Sequence, residues 1–285
     1  MRKLLLLLIL IFFTFSACSI DSNNSANTDI NYTSPSNNLK LTVFNAGKAD
    51  AMLITINDKN IIIDTGEKGE GTILLNYLKE NNISIIDYLI ITHFDKDHVG
   101  GAAKIINNIK VSNVIQPNYT STSKAFSNYE DALEKAKITP TSLESDISFT
   151  IANATFSIYP AKKTSYSIDS DSIDNYMSLV IDIVHEKNRF LLAGDAIKNR
   201  LQELIDMDNI NSTFLKIPHH GKYEELTQIF LEKVHPAYAA ITCSKEKPAD
   251  KKTLEILNNL KTQTYLTTDG DITVISNGSS IKVTQ

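Results

Sequence analysis

The architecture can be inferred from the segment Thr92-His93-Phe94-Asp95-Lys96-Asp97-His98-Val99-Gly100-Gly101, which holds four metal-capable side chains within six residues. It follows the largely apolar run 88–92, which we predict to be a buried strand. In an extended chain residues 93, 95 and 97 point the same way, and residue 98 adds a ligand where the chain turns. A loop at the end of such a strand is where an α/β fold places its functional site.

Two later segments carry similar side chains just after predicted strands. Asp195 ends the run Phe190-Leu191-Leu192-Ala193-Gly194-Asp195, and His219 and His220 follow the run 214–217. Taken alone, Asp195 could cap the helix after it, and the two histidines could belong to a turn. Three strand ends that carry His and Asp together instead predict a metal site.

Strand-like and helical stretches alternate from Leu39 onward and predict an α/β fold. Strands are expected at 41–44, 51–56 and 60–63, and an amphipathic helix at 71–81. A second β-rich half begins near residue 154. No second linker interrupts residues 39–285, so we predict one domain, an αββα sandwich of two mixed β-sheets flanked by helices. We predict a polar surface loop at residues 121–129, with a rim over the site as the alternative.

The first 38 residues have the pattern of a targeting segment followed by a tether. Residues 1–17 combine a basic start, an apolar run and small residues, as a signal peptide does. The sequence Phe15-Ser16-Ala17-Cys18 resembles the bacterial lipobox, which implies that Cys18 is acylated; an ordinary signal peptide is the alternative. Residues 18–38 are rich in Ser and Asn and predict a flexible tether. We therefore expect a protein anchored by lipid on the extracytoplasmic face of the cell membrane.

The composition excludes collagen-like, disulfide-rich and wholly disordered proteins. The 285 residues are 42% hydrophobic and 21% charged, which is typical of a globular chain. The formal charge is −5, from 28 basic and 33 acidic residues; loss of Arg2 and Lys3 with the signal peptide leaves 26 against 33, or −7. Such a chain lacks the broad electropositive surface of non-specific nucleic-acid binders, so a polyanion must be met locally, by bound metal.

Taken together, the motifs resemble the metallo-β-lactamase superfamily, and within it the branch similar to the extracellular domain of the competence protein ComEC. Residues 45–51 resemble that branch's Asp-Val-Gly-Gln-Gly-Asp-Ala opening, and residues 63–66 resemble its Asp-Thr-Gly turn. Residues 93–98 are similar to the H-x-H-x-D-H motif, and residues 218–221 to the H-H-G motif. Residues 175–180 resemble the Asn-x-x-Ser-Leu-Val strand entry.

This resemblance implies one or two divalent metal ions, zinc or manganese. One metal would be held by Asp97, His98, Asp195 and His220, and the other by His93, Asp95 and the shared Asp195. The metals would lower the pKa of a water so that hydroxide forms near neutral pH.

The resemblance also implies roles for residues around the metals. Asp97 is expected to orient the hydroxide, and His219 to contact the phosphoryl oxygens or protonate the leaving group. Asp64 is expected to brace residues 93–98 by hydrogen bonds rather than bind metal. Asp50 is either a brace of the same kind or a surface acid.

The sequence departs from the family pattern in three places. Asp95 stands where most of the superfamily has His, which makes that site more oxygen-rich and friendlier to manganese. No histidine lies between His98 and His185, so the usual third histidine is missing, and His185 is expected to be exposed in a hairpin turn. Residues 246–248 read Glu-Lys-Pro where the branch often has Gly-His-Pro.

The preferred function is hydrolysis of a phosphodiester, because two metals suit an in-line displacement at phosphorus. The substrate would be a nucleic acid or a component of the cell envelope. A metallohydrolase of a carbonyl substrate, such as a lactone, thioester or β-lactam, remains an alternative, as does a catalytically weak binding lipoprotein. No feature of the sequence indicates a protein partner.

Overall fold

The computed structural model describes residues 37–162 and 173–285, which form two β-sheets with helices on their outer faces. The predicted signal peptide, Cys18 and the tether up to residue 36 lie outside the described residues. No helix in the described part of the chain is long and apolar enough to span a bilayer.

Fifteen strands and eight α-helices lie within the described residues. The strands are β1 (Leu39–Val43), β2 (Ala51–Ile56), β3 (Lys59–Thr65), β4 (Ile85–Ile90), β5 (Lys110–Pro117), β6 (Thr141–Leu143), β7 (Ile147–Ile151), β8 (Ala154–Tyr159), β9 (Val180–His185), β10 (Asn188–Leu192), β11 (Phe214–Lys216), β12 (Tyr238–Ile241), β13 (Gln263–Leu266), β14 (Ile272–Ser276) and β15 (Ile281–Thr284). The helices are α1 (Glu70–Glu80), α2 (Lys96–Val99), α3 (Ala102–Asn108), α4 (Lys124–Ala136), α5 (Ile173–Tyr176), α6 (Lys198–Ile205), α7 (Thr227–Val234) and α8 (Lys251–Asn259).

Both sheets are mixed. The first has the strand order β15-β14-β1-β2-β3-β4-β5-β6, and the second has the order β13-β12-β11-β10-β9-β8-β7. Strands β3 to β6 run parallel to one another, as do β10 to β13, and the other neighbours are antiparallel. Parallel strands bring their carboxyl ends to one edge, where the loops can assemble a site.

Three apolar layers hold the sheets and helices together. The middle layer lies between the sheets and includes Ile61 and Ile63 of β3 with Ile181 and Ile183 of β9. Because side chains alternate along a strand, Ile62 faces the opposite way and packs beneath α1, α3 and α4. A third layer joins the second sheet to α6, α7 and α8. This order of layers confirms the predicted αββα sandwich.

The prediction of a polar surface loop at residues 121–129 was wrong, because most of this segment belongs to α4. The Ser123 hydroxyl accepts the Phe126 N–H at 3.1 Å and caps the helix. Phe126 and Tyr129 are buried, and the rings of Phe94 and Phe126 lie 4.4 Å apart. Their spacing of three residues puts both aromatic rings on one helix face. Burial of that face stabilises the helix despite the polar residues between them.

The prediction that His185 is exposed was also wrong. His185 is the last residue of β9, and it continues the inward-facing series of Ile181 and Ile183. It is fully buried, and its ring nitrogens contact Ser276 Oγ at 2.7 Å and the Asn37 carbonyl at 3.0 Å. The turn after β9 is exposed, but strand alternation directs this imidazole inward.

Candidate metal centre

Three loops at the carboxyl ends of parallel strands bring the predicted histidines together. His93 and His98 follow β4, Asp195 follows β10, and His220 follows β11. His98 Nε2 lies 3.4 Å from Asp195 Oδ1, and His220 Nε2 lies 3.1 Å from Asp195 Oδ2. The ring centroids of His93 and His98 are 4.0 Å apart. Asp195 therefore joins the histidine of the second sheet to those of the first.

Asp64, near the end of β3, fixes the tautomers of two of these histidines. Its Oδ2 accepts hydrogen bonds from Thr92 Oγ1 at 2.6 Å and from His98 Nδ1 at 2.8 Å. Because Thr92 donates its one hydroxyl hydrogen to Asp64, the 3.0 Å contact between Thr92 Oγ1 and His93 Nδ1 is donated by the imidazole. In their neutral forms both imidazoles therefore carry hydrogen on Nδ1 and a lone pair on Nε2.

A similar arrangement orients His220 from the second sheet. Thr242 Oγ1 donates to Asp50 Oδ1 at 2.5 Å, so the 3.1 Å contact between Thr242 Oγ1 and His220 Nδ1 is donated by the imidazole. Asp50 is fully buried. Of the two alternatives left open by the sequence, the structure places Asp50 as a brace and not as a surface acid.

The orientation of the three imidazoles fits a divalent metal ion. The Nε2 atoms of His93, His98 and His220 are buried and have no hydrogen-bond partner within the described residues. Buried polar atoms without partners are rare in folded proteins. His93, His98 and Asp195 each offer an atom within 4.8 Å of the others. Imidazole lone pairs gathered around one carboxylate are a common donor set for zinc and similar metals.

A second group of side chains, Asp50, His98 and His220, also lies within 4.8 Å. Its nitrogen contacts involve Nδ1 atoms, at 3.5 Å from Asp50 Oδ1 for His220 and 3.9 Å from Asp50 Oδ2 for His98. Those Nδ1 hydrogens are already donated to the partners described above. A metal ion would therefore be bound on the Nε2 side of the histidines.

Asp97 and Asp95, the remaining predicted ligands, lie on different sides of the cluster. Asp97 is buried, and its Oδ2 lies 3.5 Å from His220 Nε2 and 2.7 Å from Lys48 Nζ. The Asp95 side chain is 42% exposed, with Oδ2 3.6 Å from His93 Nε2. Asp97 is therefore enclosed by neighbouring side chains, and Asp95 lies where the centre meets solvent.

His219 points away from His220 although the two are adjacent in sequence. Both residues have left-handed backbones, with φ of 48° and 55°, which non-glycine residues adopt rarely. Their ring centroids are 6.2 Å apart, and His219 Nδ1 lies 3.4 Å from Glu224 Oε1. The turn thus directs one imidazole at Asp195 and the other at Glu224, which sequence analysis did not single out.

Lys216, in β11, is a residue of this site that sequence analysis missed. It is fully buried, and its Nζ contacts Asp50 Oδ2 and lies 3.9 Å from Asp195 Oδ1. Lysine is almost never fully buried unless it is paired. The sequence feature that could have identified Lys216 is its charge inside the apolar run Phe214-Leu215-Lys216-Ile217. Strands of a parallel sheet are normally apolar throughout.

Burial and neighbouring cations compete to set the ionisation of the buried groups. Burial by itself raises the pKa of Asp50 and Asp195, but Lys216 beside Asp50 and His220 beside Asp195 outweigh it and hold both pKa values well below the usual range. Burial lowers the pKa of His220, yet Asp195 and the other nearby carboxylates raise it to about 10. The carboxylates that attract imidazole protons will also attract a divalent cation, whose binding displaces those protons.

A family model for the metallo-beta-lactamase superfamily matches residues 45–153, which include the loop at 93–98. Residues 45–153 therefore match a metallo-β-lactamase superfamily domain.

Curated relatives at modest identity are competence proteins and a recombination protein. ComE operon protein 3 of Bacillus subtilis is 27% identical over 182 residues, which cover 63% of this chain and 22% of that protein. Recombination protein 2 of Haemophilus influenzae is 26% identical over 216 residues, covering 71% and 24%. Competence protein ComA of Neisseria gonorrhoeae is 26% identical over 211 residues, covering 72% and 27%. The chain thus corresponds to only a part of each relative.

Two solved structures share the fold at low sequence identity. The metallo-beta-lactamase fold protein YhfI from Bacillus subtilis superposes with a TM-score of 0.57 at 10% identity, covering 87% of this chain and 100% of that one. CmlA, a diiron beta-hydroxylase from Streptomyces venezuelae, gives a TM-score of 0.51 at 12% identity, covering 81% and 52%. At such identities the likeness concerns the fold and not the reaction.

Proposed function

We propose that this chain is a metal-dependent phosphodiesterase, exported and anchored to the membrane by lipid on Cys18. The observation that carries the catalytic proposal is the convergence of the His93, His98 and His220 Nε2 atoms, all buried and without hydrogen-bond partners, around Asp195. Asp95, whose side chain is 42% exposed, lies where this cluster meets solvent. The lipid anchor is supported by the sequence around Cys18.

Two overlapping ligand sets are proposed around Asp195. One consists of Asp97, His98, Asp195 and His220, and the other of His93, Asp95 and Asp195. When bound, divalent metals supply Lewis acidity toward a phosphoryl oxygen and lower the pKa of water. The carboxylate at Asp95 favours manganese beside zinc in the second set.

The remaining steps fall to two side chains that border the cluster. We assign to Asp97 the orientation of the attacking water, through a hydrogen bond that its carboxylate accepts. His219 lies beside Glu224, whose Oε1 is 3.4 Å from Nδ1 without a hydrogen bond between them. Its Nε2 is therefore the atom that faces away from Glu224, and we assign to it the transfer of a proton to the leaving oxygen.

A nucleic acid is the preferred phosphodiester. The names of the relatives refer to competence and recombination, which favours a substrate of this class. The chain itself is acidic, with a net charge of −5, so its surface as a whole does not attract a polyanion. The phosphodiester must instead be recognised at the metal centre.

The experiment compares three substrate classes on the full chain supplied with manganese or zinc. Hydrolysis of bis-p-nitrophenyl phosphate is measured beside hydrolysis of a lactone and of a β-lactam. Asp97→Asn should abolish most phosphodiester hydrolysis, whereas the matched control Asp87→Asn should retain it, because Asp87 pairs with Lys59 outside the centre. Cleavage of the lactone or β-lactam alone would assign the site to carbonyl chemistry, and metal binding without any cleavage would indicate a binding protein.

A further inference from the structure

Lys48 presents a positive charge at the edge of the metal centre. Its Nζ lies 2.7 Å from Asp97 Oδ2, and 39% of its side chain is exposed. Lys216, which also lies beside the centre, has no exposed surface and cannot reach a substrate. Lys48 is therefore a cation that touches the proposed catalytic carboxylate and also faces solvent.

The turn that carries Lys48 is fixed on both sides by backbone hydrogen bonds. The Ala46 N–H donates to the Phe44 carbonyl at 3.0 Å, and the Ala49 N–H donates to the Ala46 carbonyl at 3.1 Å. Gly47 has φ of +65°, which glycine adopts without steric cost. The Asp50 N–H donates to the Asp97 carbonyl at 3.0 Å and ties the turn to the loop at 93–98. The position of the ammonium beside Asp97 is thus built into the fold.

Two acidic side chains lie near His93, at another edge of the centre. Asp95 is 42% exposed beside His93, and Asp174 accepts a hydrogen bond from Tyr119 Oη at 2.5 Å. A substrate anion is repelled from these carboxylates and attracted to Lys48. A metal bound by Asp97 would neutralise part of its carboxylate charge. The Lys48 ammonium would then be less fully compensated and could pair with an anion.

We propose that Lys48 is a specificity-determining residue that selects an anionic substrate by donating a hydrogen bond to a non-bridging phosphoryl oxygen. This inference rests on the proposed phosphodiesterase function and deepens it, because it names the charge of the group that the centre accepts. A lysine ammonium suits this role as a compact point charge that binds phosphate from several directions. A neutral ester gains nothing from this contact.

The test replaces Lys48 in the full chain loaded with manganese or zinc. Lys48→Gln should raise the KM for bis-p-nitrophenyl phosphate and the inhibition constant of inorganic phosphate by about 10- to 100-fold, as expected for loss of a hydrogen bond to a charged group. Lys48→Arg should recover most of the affinity. Metal content should stay at the wild-type value in both variants, because Lys48 is not a ligand.

Lys59→Gln is a matched control. Lys59 is 53% exposed and pairs with Asp87 at 2.8 Å, so its replacement removes the same charge from a similar ion pair outside the centre. KM and the phosphate inhibition constant should not change in this variant. Equal effects in the two variants would overturn the inference, because general surface charge would then explain them.

Binding of inorganic phosphate, followed by calorimetry on the metal-loaded chain, separates this inference from the proposed function. A wild-type chain that binds phosphate without cleaving the diester would refute the phosphodiesterase, while weaker binding in Lys48→Gln would still support the role of Lys48. Unchanged phosphate affinity in Lys48→Gln, or loss of metal in proportion to loss of activity, would overturn the role of Lys48 whatever the wild type hydrolyses.

Discussion

Replacing Lys216 with methionine tests the buried ion pair beside the metal centre. Methionine keeps the length of the side chain but removes its charge, which leaves the buried Asp50 carboxylate with the Thr242 hydroxyl as a hydrogen-bond donor. Removing one partner of a buried ion pair costs about 3–5 kcal/mol because the other charge stays buried without compensation. Such a loss is a large part of the about 5–15 kcal/mol by which a domain is stable.

The assay is urea unfolding followed by circular dichroism, since the chain has no tryptophan to report by fluorescence. Chelator is present throughout, so that a change in metal affinity does not shift the apparent stability. Lys59→Met serves as the control and should change stability little, because exposed ion pairs contribute little. The double variant Lys216→Met with Asp50→Asn should be more stable than Lys216→Met alone, because it removes the uncompensated charge.

Two results would refute this reasoning. If Lys216→Met lowers the free energy of unfolding no more than Lys59→Met does, the ion pair between Lys216 and Asp50 contributes no more to stability than an exposed one. If the double variant is as unstable as Lys216→Met, the cost comes from packing around residue 216 and not from an isolated charge on Asp50. Either result would also remove the argument that Asp50 fixes the orientation of His220 as an anion.

Further predictions concern the metal, the two adjacent histidines and the membrane. His220→Ala should lower both metal content and phosphodiesterase activity, whereas His219→Ala should keep the metal and lose about 10²–10⁴-fold in rate, as expected for loss of an acid or base; the opposite pattern in metal analysis would exchange their roles. Elemental analysis of protein purified without added metal should find near one equivalent per chain, rising toward two with manganese, and no metal under either condition would contradict the assigned centre. Wild-type protein should partition with membranes and Cys18→Ala should not, whereas a freely soluble wild type with unmodified Cys18 would contradict the lipid anchor.

Sequence patterns predicted the sandwich, and the edge at which the candidate ligands meet, because those features are local. The segments ending in His98, Asp195 and His220 each combine an apolar strand with polar residues directly after it, and parallel strands bring such ends together. Helix α4 was missed because the polar residues of the segment 121–129 suggested a loop, although Phe126 and Tyr129 already had helical spacing. The helix is stabilised by packing of these two rings against Phe94, which is distant in sequence.

The inner polar contacts were harder to predict because each joins residues far apart in the chain. Lys216 and Asp50 lie 166 positions apart in the sequence, and Thr242 and Asp50 lie 192 apart. Neither Asp50 nor Thr242 belongs to a local pattern that indicates burial. Only the lysine within an apolar strand conflicted with its surroundings, and such local conflicts often mark functional sites.

The hydrogen bonds of the two bracing carboxylates explain why a lysine stands in that strand. Asp64 has both oxygens satisfied, since Oδ1 accepts the Thr92 N–H at 2.8 Å and Oδ2 accepts from the Thr92 hydroxyl and His98. Asp50 accepts from Thr242 on Oδ1, but its Oδ2 has no hydrogen-bond donor of comparable geometry and lies against Lys216. A second buried carboxylate with one unsatisfied oxygen is costly unless a cation lies beside it. The lysine thus allows Asp50 to stay ionised and to orient His220, which is why a charge is found in an otherwise apolar strand.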